Sequence, residues 1–410
     1  MAAEDEDNNR SQAADGDQFS ETTQKSWLQR IVQSFAGVIF GFLLIIASCV
    51  LLFWNEGRAV KTAQSLTEGA GLVKTVAVAT LDPANEGKLV HVVGTLTTAG
   101  PATDNEFGMK SSGIRLIRHV EMFQWTEESE SETKKNVGGS ETTKTTYKYA
   151  RTWTNKSVDS SKFKERTGHT NPQMTYRDRS ALAPQIKLGV FAVPDGLVRG
   201  FGTEEALPAT DDQAAALAKR INKPVQVADG ILYIGKDPAQ PTVGDFKIAF
   251  TEVRQQPASI VAAQSGSSFI PYRTQAGGSV ELISAGQVPA ADMFKQAQDD
   301  NRMLTWLLRA GGVVAMFLGF GLIMGPIGVL ADFLPILGDV VRAGTGLIGL
   351  LCTAVIAPVV IAVAWFVYRP FVAVGVLVVG AVIVYGAIRL SRVRAAARKA
   401  AQVPKAAPAT

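Results

Sequence analysis

The strongest constraint on this chain is where its charges are missing. No Asp, Glu, Lys or Arg occurs from Ile31 to Trp54, and the same is true of Ala310–Leu330, Ala343–Tyr368 and Pro370–Ile388. At about 1.5 Å per residue the first run covers about 36 Å, enough to cross a hydrocarbon core of about 30 Å with some tilt. Between the first run and the other three lies a long stretch of mixed, soluble-domain composition. The pattern predicts a multi-pass α-helical membrane protein with four spans, one plus three, and an inserted domain.

The first run reads as a retained anchor. The residues ahead of it are acidic, and Trp54-Asn55-Glu56-Gly57-Arg58 follows it where a small-residue cleavage site would belong. Arg369-Pro370 separates the last two runs as a tight turn would, so spans three and four are expected to form a hairpin. Arg389, Arg392, Arg394, Arg398, Lys399 and Lys405 follow the last run with no acid among them, which puts both termini on the cytoplasmic side.

The expected organisation follows from these signals. A disordered acidic cytoplasmic tail covers 1–30, transmembrane helix one 31–54, an extracytoplasmic domain 55–300, helix two 303–328, an amphipathic interfacial link 329–342, helix three 343–368, helix four 370–389 and a basic cytoplasmic tail 390–410. In the link, Asp332 and Asp339 are seven residues apart and Arg342 is close behind. All three are expected to be interfacial charges on one helix face within reach of headgroup water. Arg302 and Arg309 are also seven apart, a spacing that suits snorkelling at the outer interface.

The middle domain reads as α+β, mainly antiparallel β. Strand-like stretches lie at 88–96, 114–125, 144–153, 185–193, 224–234, 246–254, 258–263 and 280–284, with a helix over 211–221 started by Thr210 or Asp211. One hairpin has a definite register. A turn centred on Gly138 pairs positions whose numbers sum to 276, so Phe123 meets Trp153, Glu128 meets Lys148 and Glu132 meets Lys144. Phe123, Trp125 and Trp153 are the aromatic residues expected to hold this projecting ribbon.

Chemistry is sparse. The chain has 41 Lys and Arg against 37 Asp and Glu, too even a balance for a nucleic-acid binder. Its two cysteines, Cys49 and Cys352, both fall in apolar runs and cannot build a disulfide framework or a zinc site. The three histidines, His91, His119 and His169, stand outside any HExxH, GxSxG or phosphate-binding loop, and each is expected to be structural. No catalytic residue, cofactor, metal or small-molecule substrate is indicated. Small residues at four-residue spacing occur instead at Gly37 and Gly41, Ala315 and Gly319, and Gly321 and Gly325, where helices can approach closely within a bundle or between copies.

Several blocks are similar to the transmembrane protein 43 (LUMA) family. They are Asn55-Glu56-Gly57-Arg58-Ala59-Val60-Lys61-Thr62-Ala63, Ser65-Leu66 and Glu68-Gly69 after span one, then Arg118-His119-Val120-Glu121-Met122-Phe123-Gln124-Trp125. Gly168-His169 with Asn171-Pro172, Val243-Gly244-Asp245, Arg309-Ala310 with Ala315-Met316-Phe317, and Tyr368-Arg369-Pro370 complete the set. The resemblance implies a non-enzymatic, self-associating scaffold of the endoplasmic reticulum and inner nuclear membrane that organises complexes of membrane proteins. It implies no catalytic residue. Members also occur in bacteria, which the alanine-rich tail suits, and there the membrane would be the cell inner membrane. The alternative reading is an ion channel or channel subunit, resting on the glycine-rich spans and on Asp332, Asp339 and Arg342.

Overall fold

The computed structural model describes residues 17–333 and 335–371, together with 373–375, 378, 385 and 389. The start of the acidic tail, most of helix four over 370–389 and the basic tail over 390–410 lie outside the described residues. The chain divides into two compact units. One gathers the residues up to Val32, Thr62–Asp300 and Val329–Asp339; the other gathers Gln33–Lys61, Asn301–Gly328 and the residues from Val340 on.

The first unit is mainly β. Its larger sheet runs in the order β1 (Gln18–Lys25), β5 (Glu141–Thr154), β4 (Arg115–Lys135), β10 (Phe246–Val253), β9 (Ile231–Ile234), β8 (Val225–Ala228). Gln18–Lys25 is therefore a strand, where sequence reasoning expects tail without structure. Alone it is too short and polar to stand, and the antiparallel edge of β5 supplies its hydrogen bonds. The register of β4 and β5 pairs Phe123 with Trp153, Glu128 with Lys148 and Glu132 with Lys144. The alternation of charge and the glycines of the turn specify it, because a one-residue slip would invert both faces.

One face of this sheet packs Leu116, Val120, Met122, Leu232, Ile248 and Phe250 against Ala214 and Leu217 of helix α2 (Asp211–Ile221). The helix begins where Thr210 and Gln213 form a reciprocal capping box. The stretch 224–234 is two strands instead of one, since Asp229 and Gly230 both take positive φ and turn the chain between β8 and β9.

A second sheet contains a barrel. Strand β3 (Leu89–Thr97), flanked in parallel by β2 (Lys74–Val76), pairs with β6 (Lys187–Leu188), β6 with β7 (Phe191–Ala192), β7 in parallel with β12 (Ser268–Ile270), β12 with β11 (Pro257–Ser265), and β11 with β3 again. By position along the chain the ring runs one, two, three, five, four, a Greek-key barrel of the five-stranded oligonucleotide/oligosaccharide-binding type. The long β4–β5 ribbon is an insertion between its first two strands. Side chains fill its interior, among them Val90, Val92, Leu96, Leu188, Ile260 and the stacked rings of Phe191 and Phe269.

The opposite faces of β3 and β11 carry Leu89 and Val261, which meet Leu66 of helix α1 (Trp27–Leu72) and Met293 and Phe294 of helix α3 (Ala290–Ala331). Both faces of the first half of β3 are therefore covered, Val90 and Val92 by the barrel interior and Leu89 by the helices. His91 also sits here, buried, with Nδ1 3.1 Å from the Thr75 hydroxyl and Nε2 3.0 Å from the Val288 carbonyl. Burial lowers its pKa, so the fold favours the neutral ring.

The second unit is helical. Three helices among the described residues are long and apolar enough to cross a membrane: α1, α3 and the stretch Leu337–Tyr368 of α4 (Pro335–Tyr368). No breaker follows the apolar run of α1, so the helix continues through the Ala-, Leu- and Lys-rich residues to Leu72, about 69 Å from its start. The stretch 329–342, expected as one amphipathic link, is divided between the end of one helix and the start of the next. Helix α3 runs to Ala331 and α4 starts at Pro335, a residue suited to the first helical turn, so the connection is a short corner.

Candidate functional site

The residues Asn55-Glu56-Gly57-Arg58 form one turn of α1, and each has a specific partner in the helical unit. Glu56 is 1% exposed. Its Oε1 accepts from Arg309 Nε at 2.6 Å, and its Oε2 accepts from Arg309 Nη2 at 2.8 Å and from Trp365 Nε1 at 2.9 Å. Arg309 comes from α3 and Trp365 from α4, so one carboxylate bridges three helices. The Arg309 guanidinium also lies 4.7 Å from the centre of the Trp306 ring. Fork-to-fork geometry and a third donor offset much of the desolvation that burying this pair costs.

A second set of bonds lies beside it. Asn55 Nδ2 donates to the Thr305 carbonyl at 3.0 Å. Arg58 donates to Asn301 Oδ1 and Thr305 Oγ1, each at 2.9 Å, and Asn301 Nδ2 donates back to the Ala59 carbonyl at 3.0 Å. Gly57 is needed for space: a Cβ there would lie 2.6 Å from the Tyr368 ring. On α3 the partners Asn301, Thr305 and Arg309 recur every four residues, so they form one polar stripe. Arg309 is thus an ion-pair partner where its spacing from Arg302 suggests snorkelling. The four-residue spacing of Asn301, Thr305 and Arg309 is the signal in the sequence that could have found this side, and the sequence reading missed it.

Of the expected packing residues, Gly41 and Gly319 meet. A Cβ on Gly41 would lie 2.6 Å from the Gly319 carbonyl oxygen, and one on Gly319 would lie 2.9 Å from that of Gly41. Gly37 faces Leu322 more loosely, Ala315 is partly covered, and Gly321 and Gly325 have nothing within 4 Å of a Cβ. Leu52, Met316 and Ala357 form the small apolar core of the three helices. Cys49, Phe53, Trp54, Val359, Val363 and Tyr368 line an apolar groove of about 430 Å³ between α1 and α4.

The interfacial acids behave otherwise than expected. Asp332 is fully buried in the β unit, 2.6 Å from Arg30 Nη2 and 3.6 Å from Lys135 Nζ. It sits in the corner, not on a helix, so it shares no face with Asp339. Asp339 is exposed and pairs with Lys135 Nζ at 2.9 Å. Arg342 belongs to the other unit, where its side chain lies against Gly328.

In the ribbon, Phe123 and Trp153 meet at 5.2 Å, while Trp125 turns to Arg151 and to the edge of His169. His169 stacks on Tyr149 at 4.1 Å. Burial and the neighbouring Glu127 carboxylate raise the Tyr149 pKa, so the phenol stays protonated and donates to Glu127 at 2.6 Å. His119 is half exposed beside Glu204 and Thr251. The Glu204 carboxylate is held below its usual pKa first by the Thr251 hydroxyl and then by His119. All three histidines thus have structural partners. Among the described residues no group of three or more His, Cys, Asp or Glu side chains is gathered as a metal site.

Comparison with known proteins gives the family. The family model of transmembrane protein 43 matches residues 122–370. This chain belongs to the transmembrane protein 43 family. It is 32% identical over 361 residues to transmembrane protein 43 of Mus musculus, covering 85% of this chain and 88% of the mouse protein. The human protein is 30% identical over 392 residues, 92% of this chain and 95% of its own length. The Drosophila melanogaster homologue is 29% identical over 353 residues, 84% and 92% of the two chains. No solved structure matches. The block Asn55–Arg58, one of those on which the sequence resemblance rests, is the turn of α1 that carries Glu56, and it lies ahead of the residues the family model matches.

Proposed function

We propose that this member of the transmembrane protein 43 family is a non-enzymatic integral membrane scaffold that self-associates and organises complexes of membrane proteins. The observation that carries the reading is the network around Glu56. Its polar groups are committed to holding α1, α3 and α4 in one register, which is what a rigid support needs and what a reaction centre, with a group left to react, does not. In this reading a fourth span over 370–389 completes the bundle, the β-rich body is extracytoplasmic and both termini are cytoplasmic. The membrane is the endoplasmic reticulum and inner nuclear membrane in a eukaryote, and the cell inner membrane in a bacterium. Gly321 and Gly325, open to approach, are the proposed contact for a second copy. Asp332, on which a channel reading would rest, is instead bonded to Arg30.

The test is crosslinking in native membranes followed by mass measurement of the detergent-purified complex. The expected result is an oligomer that carries other membrane proteins and that Gly321→Leu with Gly325→Leu reduces to smaller species. A monomer that captures nothing from intact membranes removes the proposal.

A further inference from the structure

The apolar groove between α1 and α4 lies wholly within the helical unit, and it has a definite depth and a definite end. Cys49, Phe53 and Trp54 line it from α1, and Val359, Val363 and Tyr368 line it from α4. Along α4 the wall from Val359 to Tyr368 rises about 14 Å. That is close to half of a hydrocarbon core of about 30 Å, so the groove is one leaflet deep. Val359 and Val363 stay half exposed, unfilled by the described residues. Trp54 and Tyr368 mark the end nearest Glu56, as amphipathic rings do where acyl chains give way to headgroups.

Beyond that end the charges do not balance. Glu56 is the single acidic residue in the sequence of the helical unit, and it is committed to Arg309 and Trp365. Five cations stand in the same turns of the three helices: Arg58, Lys61, Arg302, Arg309 and Arg369. Asp299 and Asp300, next along α3, still leave the balance positive. Arg58 is held by neutral groups, those of Asn55, Asn301 and Thr305.

Two of these cations flank the end of the groove. Trp54, Gly57 and Lys61 follow one another at spacings of three and four, so they share one face of α1. That face looks toward α4, since a Cβ on Gly57 would lie against the Tyr368 ring. Lys61 is exposed on it, one turn beyond Gly57. On the other wall Arg369 follows Tyr368 directly, and its N–H donates to the Trp365 carbonyl at 2.7 Å, which carries the helical path one residue further.

We propose that the groove holds one acyl chain of an anionic phospholipid, with the lipid phosphate between Lys61 and Arg369. The inference rests on α1 and α4 lying in a bilayer. A spanning helix packs across both leaflets, whereas a groove of one leaflet's depth with cations at its end matches a single lipid: an apolar chain of that length and a charged head beyond it. The anion supplies the counter-charge that the sequence of the helical unit does not.

The experiment uses full-length protein in a mild non-ionic detergent, titrated with phosphatidylglycerol or with phosphatidylcholine of the same chain length. Native mass spectrometry counts the bound lipid. The expected result is one phosphatidylglycerol per chain, bound about 30-fold more tightly than phosphatidylcholine, as two basic residues facing one anion imply. Lys61→Gln with Arg369→Gln should bring the two lipids to the same affinity, and Val363→Trp, which fills the groove, should remove both. Lys61→Gln alone changes an exposed residue and keeps the test decisive if Val363→Trp does not fold. It should weaken phosphatidylglycerol about fivefold and leave phosphatidylcholine unchanged. Equal binding of the two lipids by the native protein overturns the proposal. So does phosphatidylglycerol binding that survives Val363→Trp in a folded protein, which would place the lipid on surface charge outside the groove. A lipid-free monomer would give the groove to the chain beyond Arg369, and a lipid-free dimer that Val363→Trp splits would give it to a second copy; either result overturns the proposal as well.

Discussion

Glu56 and Asp332 are both carboxylates with almost no exposed surface, each bonded to an arginine 253 or 302 residues away in sequence. Their surroundings differ. Glu56 stands in mid-helix and receives three donors from two other helices, two of them the parallel arms of Arg309. Asp332 stands in a corner, and there the arginine is the centre: Arg30 also bonds the Gly139 carbonyl and pairs with Glu141. In the first pair the arginine depends on the acid, since without it Arg309 meets only the Trp306 ring. In the second, the cation keeps partners if the acid is removed. Burial alone therefore does not rank two ion pairs; the bonds left to the surviving partner do.

The largest effect is expected from Glu56→Ala. Arg309 would keep only the Trp306 ring, and an uncompensated charge among apolar helices costs about 3–5 kcal/mol. Thermal unfolding of the detergent-solubilised protein should show a large loss of stability. Replacing both partners, as Glu56→Met with Arg309→Met, should recover most of it, because a buried pair exchanged for apolar residues is often close to neutral. A double variant as unstable as the single one would mean that the pair itself, and not the orphaned charge, holds the helices.

Asp332→Ala should cost less, about 1–3 kcal/mol, since Arg30 retains Gly139 and Glu141. Proteolysis at the ribbon tip would read it locally. Equal losses for Asp332→Ala and Glu56→Ala would break the contrast between the two sites.

How legible these features are in the sequence follows from the range over which each is specified. Local signals suffice for α2, where Thr210 and Gln213 cap the helix, and for the β4–β5 register, where glycines and alternating charges lie within a few residues of the turn. Charge-free runs are equally local, and they mark α1, α3 and α4 as apolar helices of membrane length. The ion pairs are not local. Glu56 stands in a block that reads as a family motif, and nothing near it names Arg309. The spacing that catches the eye, Arg302 to Arg309, points the wrong way, while Asn301, Thr305 and Arg309 lie on the stripe that counts. The barrel is hidden for another reason: β6 and β7 have two residues each, too few to show any period.

The pH dependence of stability near neutrality carries a contribution from His91. Its pKa is lowered in the fold, so the unfolded chain takes up the proton first as pH falls below the ordinary imidazole value near 6.5. The unfolded state then binds more protons than the native one, and stability falls with decreasing pH until the folded ring also titrates. Above that window the His91 contribution is fully present. His91→Gln, which can still reach Thr75 or the Val288 carbonyl, should flatten this part of the pH profile. A slope unchanged by the substitution would assign it to other groups.

The smallest effect belongs to the ribbon surface. Lys148 lies opposite Glu128 in the strand register, but its Nζ reaches diagonally to Glu130 at 3.1 Å, and both side chains are exposed. Such a pair contributes about 0–1 kcal/mol in water and less at high salt. Lys148→Ala should therefore leave the unfolding midpoint almost unchanged in detergent at moderate ionic strength. A loss well above about 1 kcal/mol, or one that resists added salt, would mean that the pair is not a solvated surface contact.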